Sequence, residues 1–126
     1  MRCTFAVALV VSLGTPLAHA QPASPTLRVT DPAGIRVLQA LNARMDALSR
    51  QVMVCVEKKL APPESCMCRY PAELAAVRKE HQSAIRAFPD WTSRAVAWTD
   101  SSSGTPVGHT IAIANLGAQF GKCAAR

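Results

Sequence analysis

Cys66 and Cys68 are separated by a single residue, Met67, and this spacing restricts the chain more than any other feature. A bridge between them would close a small, strained ring, so each must find its partner elsewhere. The remaining cysteines are Cys55 a short way upstream, Cys123 near the C-terminus and Cys3 near the start.

Cys3 falls in a leader. Met1-Arg2 supplies a positive start, Thr4 to Leu13 is an almost unbroken apolar run, and Gly14, Thr15 and Pro16 end it before Ala18-His19-Ala20. This order is that of a secretory signal peptide, with the small residues Ala18 and Ala20 at the cleavage positions. Residues 1–20 are therefore expected to be the signal peptide, cut between Ala20 and Gln21. The apolar run is shorter than the roughly 20 residues that span a bilayer. No lipid-acceptor cysteine follows it, so neither a stable membrane span nor a lipid anchor is expected after cleavage. The expected location is the periplasm or the outside of the cell.

Loss of Cys3 leaves Cys55, Cys66, Cys68 and Cys123, an even set that predicts two disulfides in an oxidising compartment. Cys66 pairs with Cys55 and Cys68 with Cys123, or the partners are exchanged; the spacing leaves both arrangements open. One bridge closes a short loop and the other ties back the C-terminus, contributing about 3 and 4 kcal/mol in the loop-entropy model. These staples matter because a domain this small buries only some two-thirds of its unfolded surface. At 126 residues the chain has room for one small domain and excludes large scaffolds such as a TIM barrel or a full dinucleotide-binding fold.

Gln21 to Thr30 holds two prolines and small polar residues without apolar periodicity, and reads as a flexible or extended lead-in to a single domain over residues 31–126. Asp31 is placed to cap a helix with Pro32 at its first position. Leu38, Leu41, Met45, Leu48, Val52 and Cys55 then recur at spacings of three and four, the stripe of a one-sided helix. The stripe packs on the domain's own core; pairing with another subunit is the rival reading, and the oligomeric state stays open. Val52 to Val56 is apolar all round and is expected to be covered on more than one side. Pro62-Pro63 ends the helix, and a second opens at Pro71 with Leu74, Val77, His81, Ile85 and Phe88 on one face. A short connection predicts an antiparallel helical hairpin, which brings Cys55 towards Cys66 or Cys68.

Arg94–Thr99 and Gly108–Ile113 alternate in the manner of strands, with a turn cluster at Asp100–Pro106 between them. Residues 115–122 predict a short last helix carrying Phe120 and Cys123 onto the core. The expected fold is α+β: an antiparallel helical hairpin packed on a small C-terminal β-hairpin and stapled by disulfides. With aromatics at only 5%, Trp91 and Trp98 are assigned to the core.

Few residues carry a chemistry. Cys66-Met67-Cys68 with Met45 and Met53 nearby suits a soft metal such as Cu(I), but an oxidising compartment converts the thiols to disulfides first. His81 and His109 stand alone, and no Cys-x-x-Cys pair exists for zinc or thiol exchange. Ser101 to Ser103 with Asp100, His109 and His81 could compose a hydrolase, yet no Gly-x-Ser-x-Gly elbow is present and the serines already fit a turn. No cofactor is expected. Without the leader, 13 basic residues face 8 acids, a net charge near +5. Lys58, Lys59, Arg69, Arg78, Lys79 and Arg86 form the candidate binding surface along the hairpin, suited to an acidic protein or envelope component. Nucleic acid is not an expected partner, because no basic run is interleaved with aromatics. The chain therefore reads as a small, exported, non-enzymatic binding protein. An exported copper-binding protein and a small hydrolase are the alternatives.

Overall fold

The computed structural model describes residues 25–123. The leader, its cleavage point and residues 21–24 of the lead-in lie outside that span, as do residues 124–126. The elements run β1 (Leu27–Arg28), α1 (Pro32–Glu57), a 3-10 segment (Pro63–Arg69), α2 (Pro71–Ala87), a second 3-10 segment (Pro89–Ser93), β2 (Ala95–Asp100), β3 (Val107–Ala112) and α3 (Ile113–Gly121). No described helix is long and apolar enough to cross a membrane.

The capping chemistry sets the ends of α1. The Asp31 carboxylate accepts from the Gly34 backbone N–H at 2.8 Å, and Pro32 occupies the first turn, where no N–H is needed. At the other end the Lys59 N–H donates to the Val56 carbonyl and the Leu60 N–H to the Cys55 carbonyl, the paired bonds of a Schellman motif. That motif needs a left-handed residue, and Lys59 supplies it at φ 51°. Between these caps, Leu38, Leu41, Leu48 and Cys55 are buried along the expected stripe, with Met45 and Val52 half-buried beside them.

The stripe finds its partners in one continuous core. Leu38 and Leu41 share a buried cluster with Leu74 and Val77 of α2, Val96, Trp98 and Ile111 of the sheet, and Leu116 and Phe120 of α3. Within the sheet β2 pairs antiparallel with β3, setting Trp98 opposite His109, while β1 pairs parallel with β2. The β2–β3 turn is closed by the Ser102 N–H donating to Asp100 Oδ1 at 2.8 Å and by Gly104 at φ 82°, a conformation glycine adopts without steric cost.

Two disulfides complete the frame, Cys55–Cys66 and Cys68–Cys123, with sequence separations of 11 and 55. This resolves the choice the spacing left open. The first joins the end of α1 to the 3-10 segment, and the second fastens the same segment to the chain just beyond α3.

The α+β class holds, with several differences in detail. The sheet has three strands rather than a hairpin alone, because the extended lead-in adds β1, and the Val29 N–H donates to the Ala97 carbonyl at 2.8 Å. Two residues of strand carry no periodicity to read. Gly34 fixes this attachment: a Cβ there would lie 2.8 Å from Val29 Cγ1, so only glycine lets that valine reach the first turn of α1. Ile113, expected to end a strand, instead opens α3, which follows β3 with no intervening loop. It remains buried, so its hydrophobicity is satisfied in either conformation. The strong apolar end of α1 is not covered on more than one side: Met53, Val54 and Val56 are exposed, as is Leu60 beyond the helix. Among the described residues the elements packed closely on α1 are α2 and the first 3-10 segment, which leave its outer face open.

Candidate functional site

The two bridges differ in their surroundings. Cys55 and Cys66 are both fully buried, whereas Cys68 is exposed and Cys123 half-buried. Cys68 and Cys123 form part of the wall of an open cleft of about 420 Å³, together with Arg69, Lys122, Glu64 and Ser65. The Arg69 guanidinium donates to the Leu60 carbonyl at 3.3 Å, which pins it against the turn that follows α1. That turn carries Lys58 and Lys59, both exposed. Arg69 and Lys122 therefore share the cleft wall with a single acid, Glu64, and two further cations stand on the turn to which Arg69 is bonded.

The remaining residues of the candidate basic surface lie on α2. Lys79 and Arg86 are exposed and seven positions apart, so they share one face of the helix. Arg78 is half-buried, and its guanidinium donates to the Phe120 carbonyl of α3, where it acts as a tie between helices. Nothing local in the sequence marks Lys122; only the long-range bridge at Cys123 brings it beside Arg69.

The residues considered for other chemistries are occupied in other ways. Cys66 and Cys68 are each in a disulfide, which leaves no thiolate for a metal in this oxidised form. Among the described residues no group of three or more His, Cys, Asp or Glu is placed to hold a metal ion. Met45, Met53 and Met67 instead line an apolar groove. The serines of the turn are committed locally: the Ser102 N–H bonds Asp100, and the Ser103 hydroxyl donates to the Thr105 carbonyl at 3.3 Å. The Ser102 backbone N–H, followed by its hydroxyl, holds the Asp100 carboxyl below its ordinary range. His109 stacks on Trp98 with centroids 5.0 Å apart, and His81 lies 3.4 Å from the Ile113 carbonyl with its ring edge-on to Phe120. The two histidines thus serve separate contacts on different elements. Trp91 and Trp98 are both buried, the first stacked on Phe88 at 4.1 Å. The Trp98 indole N–H has no partner among the described residues, and an orphaned donor of this kind costs about 1–3 kcal/mol.

Compared with protein-family models, with curated proteins and with solved structures, the chain matches none.

Proposed function

We propose that this chain is an exported, non-enzymatic protein that binds a polyanionic partner, an acidic protein segment or envelope component, through the cationic end of its helical hairpin. In this reading α1 and α2 run antiparallel over the β-hairpin and present Lys58, Lys59, Arg69 and Lys122 together. The two disulfides and the open cleft at the second of them support it.

Lys59 is the observation that carries the reading. It adopts φ 51° at the position of the Schellman motif where glycine is commonest. A side chain there costs about 1 kcal/mol or more in backbone strain. Strain kept at an exposed turn points to a use for the side chain that causes it.

Lys59→Gly separates a structural role from a binding one. Relief of the strain is expected to raise stability by about 1 kcal/mol, read as a higher unfolding midpoint. The same variant should bind a poly-glutamate peptide and vesicles containing phosphatidylglycerol more weakly than the parent, and Arg69→Gln with Lys122→Gln should weaken both further. Binding by the parent should fall as salt rises. Retention on the peptide alone assigns a protein partner, and retention on vesicles alone assigns an acidic surface. A parent that binds neither probe, or variants that bind as the parent does, would overturn the reading.

A further inference from the structure

All three methionines of the described residues line one groove of about 270 Å³, whose wall shares no residue with the cationic cleft. Met45 and Met53 come from α1, eight positions apart, and Met67 comes from the 3-10 segment. Leu48, Val52, Val77, Leu116 and Phe120 complete the apolar part of the wall. Its polar residues, Ser49 and Gln119, are uncharged.

Three features make this more than apolar filling. Met67 stands between Cys66 and Cys68, each covalently tied to a different element, so its backbone is fixed from both sides. Met53 is 55% exposed at the groove mouth, where a purely packing residue gains little. The third feature is the chemistry of the donors. Thioethers are soft ligands that select Cu(I) and its congeners over hard cations, and no carboxylate or imidazole on this wall would attract a hard cation instead. A thioether also keeps its lone pairs where thiols have been consumed as disulfides.

From the three methionines on one groove wall we infer that the groove is a binding site for a soft monovalent cation, Cu(I) or Ag(I), with the thioether sulfurs of Met45, Met53 and Met67 as its ligands. The site needs no free thiol, so it operates with both disulfides closed. It is independent of the polyanion reading, which uses other residues.

Silver is the appropriate probe because it requires no reductant that would open the bridges. The disulfide-intact protein, shown by alkylation to be free of thiols, is titrated with Ag(I) while the methionine ε-methyl resonances are followed by NMR. The resonances of Met45, Met53 and Met67 are expected to shift together and saturate at an equimolar ratio. Met53→Leu or Met67→Leu should weaken binding at least about tenfold, the loss that even an outer partner of a metal site produces. Met45→Leu/Met53→Leu/Met67→Leu should abolish it. These exchanges nearly conserve volume, so an unchanged circular dichroism spectrum and unfolding midpoint show that loss of binding is not loss of fold. Absence of saturable binding, retention of binding by the triple variant, or a shift confined to one methyl would overturn the inference.

Discussion

A Cys68→Ser/Cys123→Ser chain is expected to lose about 4 kcal/mol of stability by the loop-entropy relation, from a bridge spanning 55 residues. Small domains hold only about 5–15 kcal/mol in total, so this change removes a large share. The bridge is the covalent tie between the chain end beyond α3 and the 3-10 segment; without it, the Arg78 contact to the Phe120 carbonyl remains. Denaturant unfolding of parent and variant reads the loss directly, and a change below about 1 kcal/mol would show that packing alone fixes this end. The same exposure that makes this bridge part of a cleft makes it the more accessible to reductant. Cys55–Cys66 lies fully inside.

Leu38→Ala should be nearly as damaging. Leu38 is fully buried and belongs to the cluster that joins α1, α2, α3 and the sheet. Truncation of such a leucine costs about 2–5 kcal/mol, through lost transfer energy and the cavity left behind. Met53→Ala on the same helix removes a side chain that is 55% exposed, and its effect should be far smaller. Comparable losses for the two variants would mean that α1 is packed on a different face.

The parts of the fold that were legible are those with strong local determinants. Asp31-Pro32 and Pro71 mark helix starts by capping and fixed φ, and the Leu38 to Cys55 stripe marks the buried face of α1. The turn at Asp100–Pro106 follows from its composition. What escaped depends on distant contacts. β1 is two residues long and exists because Val96 and Ala97 offer it a partner, with Gly34 making room for Val29. The exposure of Met53, Val54 and Val56 follows from where other elements stop, which no local pattern encodes. The candidate cleft divides the same way: Lys58, Lys59 and Arg69 could be named from sequence, while Lys122 joins them only through the Cys68–Cys123 bridge.

Met67, between Cys66 and Cys68, lets one experiment read both the pairing Cys55–Cys66 and Cys68–Cys123 and the proposed export. Cyanogen bromide cleaves after methionine, which places Cys55 and Cys66 together in residues 54–67, and Cys68 and Cys123 together in the following fragment. Mass spectrometry of the unreduced, exported protein should therefore show an N-terminus at Gln21 and no alkylatable thiol. After cleavage these two fragments should separate without reductant. Fragments that stay joined until reduced would establish the exchanged pairing, and free thiols or an uncut leader would rule out an exported chain with both bridges closed.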